Sequence, residues 1–136
     1  MKFGRFPGRA RPRPRSVPGR MNKTEAAYAA RLDVLRAAGE ILNWRFEALK
    51  FRLADRTWYT PDFVVVTAEG FELHEVKGHW EDDARVKWKA TADLWPEFRF
   101  VAITRKGGAW RFEVYGETAT ATAASSAVRR TEKGTA

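Results

Sequence analysis

The stretch that most constrains this chain is Phe63-Val64-Val65-Val66, four apolar residues in a row with a turn signal on each side. Pro61-Asp62 precedes it and Glu69-Gly70 follows it. Side chains alternate across a strand, so a run that is apolar on both faces needs cover on both. Such a strand belongs in a sheet with a layer above it and a layer below it.

The rest of the chain supplies those layers. Asn22 followed by Glu25 has the form of a capping box. It opens a helix that runs to about Ala38, with Gly39 as its C-terminal cap. Tyr28, Leu32 and Leu35 share one face at helical spacing. Strand signals follow at Ile41–Glu47, Lys50–Leu53, Pro61–Thr67 and Phe71–Lys77, with turns at Asp55-Arg56 and Glu69-Gly70. A second helix spans Asp82–Trp95 and is stopped by Pro96. Phe98–Thr104 and Trp110–Tyr115 read as two more strands joined at Gly107-Gly108. The order predicts an α/β (α+β mixed) fold, a central mixed sheet flanked by helices. The step from the strand ending at Lys77, through a helix, to the strand at Phe98 has the form of a βαβ crossover. That form makes the two strands parallel.

Charge is distributed unevenly. Of a net +8, seven positive charges fall in residues 1–20: Lys2, Arg5, Arg9, Arg11, Arg13, Arg15 and Arg20, with no acid among them. Pro7, Pro12, Pro14 and Pro18 interleave with these cations. Such a sequence cannot form a helix and has little apolar area to bury. Residues 1–20 are therefore expected to be a disordered basic arm that neutralises phosphates. The alternative is a merely solubilising tail. Residues 117–136, rich in Ala, Thr and Ser, are expected to be a disordered C-terminal tail, leaving 21–116 as one folded domain. With no cysteine, any metal must sit on oxygen or histidine ligands. No apolar run approaches the roughly 20 residues of a membrane span, and the basic N-terminus is not followed by an apolar segment. A cytoplasmic protein that does not engage a membrane is the expectation.

One constellation carries chemistry. Asp62 stands near the start of one strand, and Glu75 and Lys77 stand near the end of the next. Residues two apart in a strand point to the same face, so Glu75 and Lys77 project together while Val76 points away. Phe71 and Leu73 share their face, which makes that face otherwise apolar and unpaired charge there costly. Two carboxylates and a lysine on one sheet can hold a hard divalent cation and polarise a water beside it. Their competing roles are structural: a turn-marking aspartate and a solvated cross-strand pair.

The order of helix, strands bearing P-D and then E-x-K, helix and strand resembles the PD-(D/E)XK nuclease superfamily. The motif here is Pro61-Asp62, twelve intervening residues, then Glu75-Val76-Lys77. The match extends over about residues 22–105. Within the superfamily it is similar to the small phage and prokaryotic branch that includes Holliday-junction resolvases. The resemblance implies a restriction-endonuclease-like αβββαβ core and a metal-dependent endodeoxyribonuclease. It implies Mg²⁺, with Mn²⁺ as substitute, on Asp62, Glu75 and the carbonyl of Val76, and Lys77 acting on the attacking water. A glutamate on the first helix, here Glu25, would assist the metal, although Glu25 is also the capping-box residue. Branched DNA is the expected partner, cut by a homodimer with an interface around Phe112 and Val114. Two alternatives stay open: a non-catalytic nucleic-acid-binding module on a nuclease fold, and a transposase or restriction-like endonuclease subunit.

Other residues near the motif have two readings each. His79 could contact a phosphate or be a plain loop residue. Lys87 could reach the active site or extend to solvent along its helix. Trp58 and Trp80 flank the motif and could stack on bases, or belong to the core. His74 lies on the strand face opposite Glu75 and reads as structural.

Overall fold

A computed structural model of the chain describes residues 19–116. Of the predicted basic arm it includes Gly19 and Arg20. Arg5, Arg9, Arg11, Arg13 and Arg15 lie outside the described residues, as does the predicted tail from residue 117.

The elements follow one another as α1 (Lys23–Ala37), β1 (Asn43–Phe46), β2 (Phe51–Ala54), β3 (Thr57–Tyr59), β4 (Phe63–Thr67), β5 (Gly70–Lys77), α2 (Asp82–Leu94), β6 (Arg99–Lys106) and β7 (Ala109–Val114). Five strands form one mixed sheet in the order β1-β4-β5-β6-β7, and β2-β3 form a separate hairpin. Neighbouring strands are antiparallel except β5 and β6, which are parallel as the crossover through α2 requires.

Helix α1 has both ends fixed by sequence. The Asn22 side chain accepts from the Glu25 N–H, and the Glu25 carboxylate accepts from the Asn22 N–H at 2.8 Å, closing a capping box. At the other end Gly39 adopts φ 75°, where L side chains are strained. That geometry lets the Glu40 N–H reach the Leu35 carbonyl and the Gly39 N–H reach that of Arg36, a Schellman closure. Helix α2 carries Asp82 and Asp83 in its first turn, where the helix dipole favours negative charge.

The sheet is covered on both sides, as the run at Phe63–Val66 demands. On one side α1 sets Tyr28, Ala29, Leu32 and Leu35 against Phe63, Val65, Val76, Val101 and Ile103. On the other, Trp88 and Ala92 of α2 and Phe51 and Tyr59 of the hairpin cover Val64, Leu73, Phe100 and Ala102. Fully burying a side chain such as Leu32 or Phe63 contributes about 1.5–3 kcal/mol. These two cores therefore fix which face each β5 residue presents.

Three expectations need correction. Val114 is buried in the α1-side core, and Phe112 packs against it, so they do not form an exposed apolar edge for a dimer. Phe71 is 53% exposed, because it lies at the turn end of β5 beyond the cover of either layer. The strand expected at Lys50–Leu53 is β2, which pairs with the three-residue β3 in a hairpin outside the central sheet.

Candidate active site

Local geometry at the end of β4 brings the acidic residues together. The β4–β5 register pairs Phe63 with His74, so Asp62, one step before the strand, stands opposite Glu75. The backbone carbonyl of Asp62 still accepts from the Glu47 N–H at 2.8 Å on the β1 side. On the β5 side its carboxylate replaces the backbone, and Oδ2 accepts from the Val76 N–H at 2.8 Å. Asp62 is thus held from both neighbouring strands. Val76 contributes its amide to Asp62, while its side chain enters the α1-side core.

Glu75 and Lys77 project from the same face, toward α2 and the hairpin. Lys77 Nζ lies 3.0 Å from Glu75 Oε1. The other Glu75 oxygen, Oε2, accepts from the Tyr59 hydroxyl at 2.8 Å. Asp62 and Glu75 are both buried, and Lys77 is half-buried. Leu73 completes the apolar surround on this face.

The electrostatics are those of a site short of positive charge. Burial, and then the Glu75 charge, push the Asp62 carboxyl up to about 8, against the Val76 N–H and Lys77. Burial also raises Glu75, with Lys77 and the Tyr59 hydroxyl opposing. Burial works against the Lys77 charge, but Glu75, Asp62 and Glu25 outweigh it and its pKa is raised. The Tyr59 phenol is pushed up by burial and by Glu75, so it is a donor and not a phenolate.

The donor set fits a hard cation. Among the described residues no three Asp, Glu, His or Cys side chains form a ready-made metal cage. Mg²⁺ does not need one: it is held by one or two carboxylates and keeps several waters. Two buried carboxylates that share three donors, of which only the Lys77 ammonium carries a full charge, meet that description, and Asp62, Glu75 and the Val76 carbonyl are the groups that would hold it.

The other predicted residues divide. Glu25 is buried and its Oε2 is committed to the Asn22 N–H, so capping is its primary contact. Its charge nevertheless adds to the pressure on Asp62 and helps Lys77 keep its proton. Lys87 is exposed, with its backbone carbonyl accepting from Thr91; it extends to solvent and does not enter the site. His79 and Arg20 are exposed. Trp80 is half-buried and packs on the buried Trp88, ring centroids 5.6 Å apart, with Arg85 over its face, so it lies at the rim of the α2-side core. Trp58 remains exposed.

Sequence reasoning missed Tyr59. Its signal was present in retrospect: a tyrosine alternating with the exposed Trp58 on a short strand just before Pro61-Asp62. Sequence reasoning also left His74 without partners. It is buried on the α1 face, with Nδ1 2.7 Å from the Tyr28 hydroxyl and Nε2 2.9 Å from Glu72.

No family model matches the chain, and neither a curated protein nor a solved structure does. Among the described residues no helix is long and apolar enough to cross a membrane.

Proposed function

We propose that this chain is a Mg²⁺-dependent endonuclease that hydrolyses phosphodiester bonds in DNA. The observation that carries the reading is the pair Asp62 and Glu75, buried at neighbouring strand ends with Lys77 in contact and too little positive charge around them. The element order supports it. With the β2–β3 hairpin set aside, α1, three antiparallel strands, α2 and a parallel strand follow the αβββαβ order of a restriction-endonuclease-like core.

Each residue has a task in this reading. Asp62, Glu75 and the Val76 carbonyl hold the cation. When bound, the cation supplies a water of lowered pKa and offsets charge on the phosphate. Tyr59 fixes the Glu75 carboxylate through its hydroxyl. Lys77, which keeps its proton beside these acids, orients the attacking water or holds a phosphate oxygen. The arm, whose arginines lie in residues 1–20, adds phosphate contacts that position DNA without reading its sequence.

The test is a cleavage panel: four-way junction, flap, linear duplex and single strand, each with Mg²⁺. Cleavage of at least one DNA form is expected. Failure to cut any of them would refute the reading. The same panel decides its finer form, a homodimer acting on branched DNA. A monomer by light scattering that cuts linear duplex as fast as a junction would exclude it.

A further inference from the structure

The β2–β3 hairpin has two unlike faces. Phe51 and Tyr59 are register partners on the inward face, and both are buried. Phe51 packs edge-on against Trp95 and Phe98, with centroids 4.9 and 5.6 Å away, and Tyr59 donates to Glu75. One register pair at the open end of the hairpin thereby ties it both to the second core and to the site. On the outward face the register partners are Arg52 and Trp58. Trp58 is 45% exposed, although an indole is among the side chains that gain most from burial. Lys50 Nζ stands 5.0 Å from the centre of its ring. Arg56, exposed at the turn with φ 54°, adds a third cation; the one acid of the hairpin, Asp55, makes an exposed 3.5 Å ion pair with Arg52.

A rigid strand that presents an aromatic face rimmed by cations matches one class of partner. Every nucleobase has a π-face that stacks on Trp, and each base is flanked by phosphates that Lys and Arg neutralise. The Gly19 N–H donates to the Glu47 carboxylate at 2.6 Å, and the Glu47 N–H donates to the Asp62 carbonyl. Gly19 is thereby held beside the strand end that flanks Asp62.

We propose that the outward face of the hairpin is a nucleic-acid contact for unpaired nucleotides. Trp58 stacks an unpaired base, and Lys50, Arg52 and Arg56 hold its neighbouring phosphates. A base inside a duplex has both faces covered by its neighbours and cannot stack on Trp58, so the contact selects DNA with a single-stranded segment. As a statement about which DNA the enzyme cuts, this rests on the nuclease reading above. As a statement about binding, it does not.

The experiment is fluorescence anisotropy with the full chain in Ca²⁺, using a labelled single strand, a duplex with a single-stranded flap and a blunt duplex. The wild type is expected to bind the first two more tightly than the third. Trp58→Ala should lose about tenfold on the first two and little on the blunt duplex. Trp58→Phe should retain most of the preference. The Lys50→Gln/Arg52→Gln double variant should lower the salt slope of log K for the single strand by roughly 1.5. Melting temperatures of these surface variants should match the wild type. Equal affinities of wild type and Trp58→Ala on all three probes would overturn the proposal, as would equal losses on all three. If Trp58→Ala instead splits a dimer seen by light scattering and leaves DNA affinity unchanged, the face belongs to a second copy of this chain, and the proposal is overturned. A chain that binds through Trp58 yet cuts no DNA keeps this proposal and fails the nuclease reading. A chain that cuts DNA but whose affinities do not depend on Trp58 does the reverse.

Discussion

Strand β5 carries a buried polar cluster on each face, and the two are built differently. On the α1 face Tyr28, His74 and Glu72 form a closed chain in which both imidazole nitrogens have partners. Arg99 stands 3.9 Å from the second Glu72 oxygen. On the α2 face Asp62 and Glu75 bring two carboxylates to the Val76 amide, the Tyr59 hydroxyl and the Lys77 ammonium. Only one of those three donors carries a full charge. The first cluster has balanced donors and acceptors and acts as internal scaffold. The second has an excess of negative charge that a cation can satisfy. The lesson is that burial of an ionisable group does not mark function by itself; an unbalanced charge within a fixed geometry does.

The widest separation between the two faces should be in activity. Asp62→Asn and Glu75→Gln should each lower DNA cleavage at least about 10³-fold, with Lys77→Ala close behind, while circular dichroism stays native. Tyr28→Phe, on the other face, should leave the rate per folded molecule within about twofold. Comparable losses from the two faces would erase the distinction.

The second contrast is in pH dependence without metal. The Asp62 pKa is raised in the folded chain, so between about pH 4 and pH 8 the folded state holds a proton that the unfolded state has released. Its contribution to stability is therefore present below that window and lost as pH rises through it. In EDTA the wild type should weaken from pH 5 to pH 8. Asp62→Asn, which can still accept the Val76 N–H, should be the more stable protein at pH 8 by roughly 2–5 kcal/mol. Urea denaturation at the two pH values reads this directly, and a wild type that gains stability with pH would contradict the assigned charge imbalance.

On the balanced face the same assay should run the other way. His74→Ala leaves the Tyr28 hydroxyl and Glu72 without their shared partner and should cost roughly 2–3 kcal/mol at every pH tested. A cost below about 0.5 kcal/mol would show that the chain of hydrogen bonds is not scaffold.

The smallest effect sharpens the α2 face. Tyr59→Phe removes the donor on Glu75 Oε2 while keeping the packed ring. Groups that orient a metal-binding carboxylate typically contribute 10–100-fold. Cleavage should fall about tenfold with DNA affinity in Ca²⁺ unchanged, and an unaltered rate would reduce Tyr59 to a packing residue.

Much of this arrangement could be read from the sequence, because local rules governed it. The capping box at Asn22 and Glu25, the closure at Gly39 and the parallel pairing of β5 with β6 depend on short-range signals. So does the shared face of Glu75 and Lys77, which follows from the two-residue period of a strand. What was not legible depended on contacts distant in sequence or on very short elements. The turn at Asp55-Arg56 could be read, but the three-residue strand β3 that follows it and pairs back with β2 could not. His74 was placed on its correct face, but its partner Tyr28 lies 46 residues away on a helix. Lys87 had two readings from sequence, and only packing decides between them: Trp88 and Thr91 of the same helix are buried, while the Lys87 side chain falls on the solvent side. Periodicity located the faces; only the packed structure could show which charges on them were already answered.

The central claim is that Asp62 and Glu75 form a cation-dependent hydrolytic site. The most direct test is one time course of DNA cleavage by the full chain in Mg²⁺ and in excess EDTA, run beside Glu75→Gln in Mg²⁺. The account predicts product in the first reaction alone. Product in EDTA, or from Glu75→Gln at the wild-type rate, would contradict it.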